Sequence, residues 1–381
     1  MDFDLTWLLW GLPLAFALGW AASRLDLRQW RMESRQAPKA YFRGLNHLLN
    51  EQQDQAIDAF IEAVQGDPDT AELHFALGNL FRRRGDYDRA VRVHEHLLSR
   101  ADLSGKDRDR AQHALALDFL KAGLLDRAEA ALQKLQGTSF AGEAMLALLG
   151  IYERSRDWPR ALEVALKLDA QAQGSFASRL AHYRCEEAEL ALRQGDRARA
   201  RTLLDAAVRE APQVARGWVA LSALRQQEGD ATGALDALLN LAREAPQALP
   251  LVAHLMTDLG RQTGRVEAVA AVLRAADDRS PSIDITEALA ALEADPTAAR
   301  ARYLQHLERE PSLVIGARWL AGETLSDPMA QAPVQRTLEQ ASAPLKRYRC
   351  AACGFEARQH FWQCPGCQAW DSYPARRVEE I

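Results

Sequence analysis

GNLFRRRGDYDRAVRVHEHLL, residues 78–98, is the stretch whose reading decides the fold. Leu77 and Gly78 precede Phe81, and Gly85, Tyr87 and Ala90 follow. Small residues at 78 and 90 let two helices approach closely, and Gly85 turns the chain between them. The alanine recurs at 56, 90, 128, 161, 200 and 234, in steps of 34, 38, 33, 39 and 34. Gly123, Gly195 and Gly229 repeat the turn. Pro68, Pro212 and Pro246 fall where a helix must end, the last two one 34-residue period apart.

Spacing and markers together are those of the tetratricopeptide pattern, a helix–turn–helix unit stacked on copies of itself. Trp218 and Leu221 also fall at marker positions. The reading predicts six clear repeats between residues 37 and 248, and a degenerate one to about 281. The longer steps predict extended helices or loops around 101–108 and 169–180. Residues 282–343 keep helical patterning (ITEALAAL, ARARYLQHLE) without the markers, as degenerate repeats or a cap.

Composition agrees with an all-α fold carrying a small appendix. Of 381 residues 48% are apolar and only 7% aromatic, so the cores are built from Ala and Leu. Runs such as AALQKL and ALDALLNLA favour helix over strand. A net charge of −5 leaves no global basic footprint for nucleic acid.

Residues 5–22, LTWLLWGLPLAFALGWAA, carry no charge. As a helix they span about 27 Å, close to a bilayer's hydrocarbon thickness. Trp7, Trp10 and Trp20 sit toward the two ends, and Arg24, Arg28, Arg31, Arg35 and Lys39 follow. A cleaved signal peptide would need a basic start, and this chain opens with Asp2 and Asp4. The expectation is a membrane anchor over 1–23 and a basic linker over 24–36, with the N-terminus outside and the rest cytoplasmic.

The chain's end, residues 348–374, reads YRCAACGFEARQHFWQCPGCQAWDSYP. Cys350 with Cys353, and Cys364 with Cys367, form two C-x2-C pairs with ten residues between them. Each pair can chelate from one tight turn, and two turns complete a tetrahedral four-sulfur site for one metal ion. Four thiolates leave no open position, so zinc, the favoured ion, would be structural; iron would make a one-electron centre. Gly354 lets the first turn close, whereas Gln368 follows the second pair where a regular knuckle would have glycine. Phe355, Phe361, Trp362 and Trp370 are expected to pack the core of this module over 344–381, some of them docking on the repeats.

No phosphate-binding glycine loop, H-E-x-x-H or G-x-S-x-G is present, and no catalytic residues are assigned. His94 is expected to pack inside its repeat, His360 to hydrogen-bond in its loop and Cys185 to be a small buried side chain. Stacked helix pairs bind peptides or protein surfaces along the first helices of each pair. That row is expected to expose Phe75, Asn79, Arg82 and Arg83 in the second repeat, and Arg110, His113 and Lys121 in the third. It would hold an anionic or C-terminal peptide segment; the plain alternative is a solvated basic face. Self-association is compatible with such surfaces.

The order of anchor, basic linker, repeats and short cysteine module, with HFWQCPGCQAW at its most specific, resembles the lipopolysaccharide assembly protein B family of Gram-negative bacteria. The resemblance covers essentially the whole chain. It implies an inner-membrane protein with cytoplasmic tetratricopeptide repeats (37–281) and a rubredoxin-like metal-binding domain. It further implies an adaptor for the membrane-anchored AAA+ protease that degrades the deacetylase committing precursor to lipid A, in contact with other proteins of that pathway. Two other classes stay open: an electron-transfer protein on a membrane scaffold, and a scaffold for a different envelope complex.

Overall fold

The computed structural model describes residues 14–20, 39–67, 70–170, 175–324 and 327–381. Of the expected anchor only 14–20 are described, a helical stretch with Leu14, Phe16, Leu18 and Trp20 exposed. The rest of the anchor and the basic linker lie outside the described residues. Among the described residues no helix is long and apolar enough to cross a membrane. The chain divides into two compact units, Met1–Ser155 and Arg156–Ile381.

In the first unit helix α1 (39–49) is followed by α2 (Gln53–Gly66), α3 (Ala71–Arg84), α4 (Tyr87–Ser99), α5 (Gly105–Lys121), α6 (Leu125–Gln133) and α7 (Ala141–Ser155). The marker alanines do what small residues are for: Ala56, Ala90 and Ala128 are all 0% exposed where one helix crosses the next. Around them Ile57, Phe60, Leu77, Leu80 and Phe81 form a continuous core. Truncating a side chain as buried as Phe60 would cost about 3–5 kcal/mol. Gly78 is fixed by close approach, because a β-carbon there would meet His94 Nε2 at 2.5 Å. Gly85 is fixed by conformation instead. Its φ is +86° and a β-carbon would touch nothing, so only the left-handed backbone excludes other residues.

The second unit continues the pattern with α8 (Trp158–Ala170), α9 (Ala177–Arg193), α10 (Arg197–Glu210), α11 (Ala215–Gln227) and α12 (Ala231–Glu244). Ala161, Ala200 and Ala234 are again 0% exposed. Asp196 and Asp230, each following a turn glycine, accept the N–H of Arg199 and Gly233 and cap α10 and α12. Pro212 lies just past α10, and Pro246 opens a 3-10 segment, Pro246–Val252, that replaces the first turn of the seventh pair. That pair is α13 (Ala253–Thr263) and α14 (Val266–Arg279).

Residues 282–343 form two further helix pairs, α15 (Ile283–Leu292) with α16 (Pro296–Arg309), and α17 (Leu313–Ala321) with α18 (Pro328–Ser342). Here Ile283, Val314 and Ile315 make a small core with Tyr303, Leu307 and Leu345. The chain then leaves helix for β1 (Tyr348–Arg349) and β2 (Glu356–Ala357), an antiparallel pair with Tyr348 opposite Ala357.

Candidate metal centre and its seat on the repeats

The C-terminal module is two matching turns. Gly354 N–H donates to Cys350 O at 2.9 Å and Cys350 N–H to Phe355 O at 2.9 Å; Gln368 N–H donates to Cys364 O at 2.8 Å and Cys364 N–H to Ala369 O at 2.9 Å. Gly354 has φ +77° and Gln368 +61°, so the knuckle that departs in sequence adopts the same backbone. The Gln363 side chain donates to Gln368 O at 3.2 Å and helps hold it there.

These turns bring Cys350, Cys353, Cys364 and Cys367 together, all four sulfurs within 4.8 Å of one another. Cys350 and Cys367 sulfurs lie 3.8 Å apart, and those of Cys353 and Cys364 lie 3.7 Å apart. A disulfide needs about 2.05 Å. A tetrahedral ion with bonds of about 2.3 Å sets its sulfurs about 3.8 Å apart, so the cluster fits one metal ion. Hydrogen bonds favour thiolate at two of the four sulfurs, while Cys353, lowered by the Phe355 N–H, is pushed up to about 12 overall by desolvation and the other three sulfurs. Desolvation pushes the Cys350 thiol up, but the Ser372 hydroxyl and the N–H groups of Cys353 and Ala352 outweigh it and bring it down to about 6. Cys364 is also desolvated, and the N–H groups of Cys367 and Gly366 hold it below the ordinary thiol range. Cys350 and Cys364 are buried, whereas Cys353 and Cys367 face outward.

Phe361, Trp362 and Trp370 pack as expected, in the module core or on the helices beneath it, and Phe355 does not. The module's own core is Tyr348, Cys350, Cys364 and Tyr373, with Phe361 against it. Phe355 is 45% exposed, because the knuckle turn carries it outward over Gly366. Trp362 leaves the module to pack on the core of α12–α15, and Trp370 stacks on His182 of α9 with ring centroids 4.6 Å apart. Trp158 and Tyr183 meet Trp370 edge-on. His182, fully buried, donates through Nε2 to both Asp371 oxygens at 2.9 Å. His360 donates to Tyr373 O at 3.0 Å, as a loop residue should.

The tail beyond the cysteines clasps the marker-free helices. Arg377 grips Asp284 through Nε at 2.8 Å and Nη2 at 2.6 Å. Glu379 accepts the Leu313 and Val314 N–H groups at the start of α17, and Glu380 accepts Ile283 N–H at the start of α15. Sequence reading missed His182, Asp284 and these two carboxylates. The available signal was a surplus of aromatic residues over what so small a core can hold.

The row expected to line a groove is only partly on the surface. Phe75 is 1% exposed, packed with Leu97, Leu103 and Ala111, because its side of α3 faces the next pair; Arg110 covers its ring at 4.1 Å. Arg82 reaches inward to Asp118, 0% exposed, at 2.8 Å, and to Ala114 O and Asn79 Oδ1. The other Asp118 oxygen meets His94 Nδ1 at 2.5 Å, so Arg82 and Asn79 belong to a buried network, with His94 packed inside its repeat as expected. Arg110 pairs with Glu72, and His113 stacks on Phe140 at 4.7 Å beside Glu143. Arg83 and Lys121 are exposed. Cys185 is fully buried, which pushes its thiol up to about 12.

Comparison with known proteins matches the two parts separately and the whole together. A family model described as rubredoxin metal binding domain matches residues 348–373, and a tetratricopeptide repeat model matches 43–94 and 185–248. The chain is 31% identical to lipopolysaccharide assembly protein B of Escherichia coli (strain K12), over 97% of this chain and 98% of that one. To the protein of that name from Haemophilus influenzae it is 27% identical, over 95% and 96%. Among solved structures, Naa15/Naa10 bound to HypK-THB aligns with TM-score 0.44 and 17% identity, over 81% of this chain and 47% of that one. Matched from end to end and in both modules, the chain belongs to the lipopolysaccharide assembly protein B family.

Proposed function

We propose that the chain is a single-pass inner-membrane adaptor that regulates lipopolysaccharide synthesis, and not an enzyme. Residues 1–23 anchor it with the N-terminus periplasmic, 24–36 form a basic juxtamembrane linker, and the repeats (37–281), the helices of 282–343 and the metal module (344–381) lie in the cytoplasm. It presents the deacetylase that commits precursor to lipid A to a membrane-anchored AAA+ protease, and it bridges other proteins of the pathway. The observation that carries this reading is similarity to proteins named for lipopolysaccharide assembly over 97% of this chain, and the uncharged run of residues 5–22 supports the anchor.

In this reading Cys350, Cys353, Cys364 and Cys367 hold one zinc ion. The ion neutralises the thiolates and closes the two knuckles, and with four protein ligands it takes no substrate. The chain's own residues do the rest. Trp362, Trp370, Asp371 and Arg377 seat the module on the second unit's helices. Partner contact in the first unit falls to the exposed Arg83 and Lys121 rather than to the buried part of the expected row.

The test is capture of the full chain from native membranes, together with the lifetime of the deacetylase. The protease and the deacetylase should co-purify, and deleting the chain should prolong the deacetylase's lifetime. An unchanged lifetime would sink the adaptor reading in favour of a scaffold for another complex. A reversible visible redox band in the purified protein would favour electron transfer.

A further inference from the structure

The hairpin that carries the first knuckle also walls a cavity of about 390 Å³ between the end of α18 and the C-terminal tail. Gln340, Pro344, Lys346, Arg347, Arg358 and Arg377 line it, so four cationic side chains converge with no acidic one among the lining residues. The paired strands beside it balance their own charge. Arg349 lies opposite Glu356 and donates to it at 2.8 Å, a favourable cross-strand pair. Tyr348 faces Ala357 and the pairing ends there; Arg347 and Arg358 flank that last pair, and both line the cavity.

Two of the four cations are already engaged. Arg377 holds Asp284 and donates to Lys346 O at 2.8 Å, and Arg347 has Glu356 at 3.6 Å. Among the described residues the Lys346 ammonium and the Arg358 guanidinium have no carboxylate partner.

We propose that this cavity binds a phosphate group, gripped by Arg358 and Arg347 and neutralised by Lys346. Planar guanidinium forks match phosphate oxygens in pairs, while an ammonium acts as a point charge. Gln340 offers a neutral donor at the rim. The volume suits a phosphate with part of the molecule that bears it, and it is too small for a folded partner. Inorganic phosphate and a phospholipid headgroup share this chemistry.

Calorimetric titration of the detergent-solubilised full chain with inorganic phosphate, and with short-chain phosphatidic acid, tests the proposal, with short-chain phosphatidylcholine as control. Both phosphate ligands should bind, more weakly as salt rises. Lys346→Gln with Arg358→Gln should weaken binding by about tenfold or more, the loss of charge-assisted contacts, while Arg358→Lys, which keeps the charge and loses the fork, should weaken it less than Arg358→Gln. Unchanged metal content and helicity show that the double variant folds; if it does not, Arg358→Gln alone should still weaken binding about threefold. Phosphatidic acid binding about tenfold tighter than inorganic phosphate identifies a lipid source, and equal affinities identify the phosphate group itself; both support the site. No binding by either ligand, full affinity in the double variant, or binding of acidic peptides but not phosphate overturns it.

Discussion

Asp284→Ala should release the metal module from the helices beneath it while leaving the repeats folded. Asp284 is 4% exposed and both its oxygens are held by Arg377, whose guanidinium also lies 4.2 Å from the Tyr348 ring centroid. Removing one partner of a fully buried pair costs about 3–5 kcal/mol. The Arg377 side chain is 21% exposed, so water re-solvates part of it, and about 2–3 kcal/mol is the working figure. Local opening is read by amide exchange, with about 1.36 kcal/mol per tenfold. The amides of Val378 and Ala351, each bonded across the module at 2.7 Å, should therefore exchange roughly 30–150 times faster. Amides in α9 should keep their rates. A cycle with Arg377→Ala should give a coupling of about 1–3 kcal/mol. Acceleration below about threefold, or a cycle that is additive, would refute the reasoning.

Cys364→Ser should abolish metal binding and the near-ultraviolet signal of Trp362 and Trp370, unfolding residues 345–381 and the helices they clasp while the repeats stay helical; metal analysis and circular dichroism check it. Glu379→Ala should cost about 1–2 kcal/mol by uncapping α17, where Glu379 accepts the Ser312 hydroxyl at 2.7 Å and two N–H groups. Faster amide exchange confined to α17 and its neighbours is the expected signature. Burial pushes the Glu287 carboxyl up, but His254 at 3.8 Å and Arg318 at 2.7 Å outweigh it and hold it at about 2. Its stabilisation is present above pH 4.5, its ordinary value, and is lost as pH falls toward 2; Glu287→Gln should flatten urea midpoints across that window. His254 is raised by Glu287, so its share holds below pH 6.5 and fades as pH rises through the folded value. Charge reversal at Arg83 and Lys121 should weaken partner capture and its salt sensitivity at constant helicity, and undiminished capture would move the partner face elsewhere.

Much of the fold was legible because a repeat states its packing many times. Six alanines at steps of 33 to 39 residues announced six helix crossings, and each proved fully buried. The cysteine pairs were legible for a similar reason: a chelating turn is local, and its four residues lie together in sequence. Gln368 marks the limit of residue identity as a guide, since its backbone takes the glycine conformation with help from the Gln363 side chain. The exposure of the groove row was legible only in part, with Arg83 and Lys121 exposed and Phe75 buried, for a different reason. Helical spacing put Phe75 and Arg82 on one face without saying whether that face met solvent or the next pair. The partner that draws Arg82 inward, Asp118, lies 36 residues away. The seat of the module was hidden more deeply. His182 and Asp371 are 189 residues apart, and no periodicity links them.

The placement of the clasp explains how helices without repeat markers can be stable. Among the described residues α16 buries only His306, and the second helix of the last pair, α18, buries only Ser342 at its end, so neither has an apolar core of its own. What these pairs lack in apolar contact is supplied from the tail. Asp284 receives Arg377, α15 receives Glu380 and α17 receives Glu379, all within 13 residues of Cys367. A tail so placed is ordered only while the knuckle before it is closed. Ligand binding confined to the folded state stabilises whatever folds with it, so a metal on the four thiols would support α15–α18 as well as the module. The unfolding caused by Cys364→Ser should accordingly extend past residue 345 into α17, and stop before α12, where Leu235, Leu238 and Leu241 are fully buried without help from the tail.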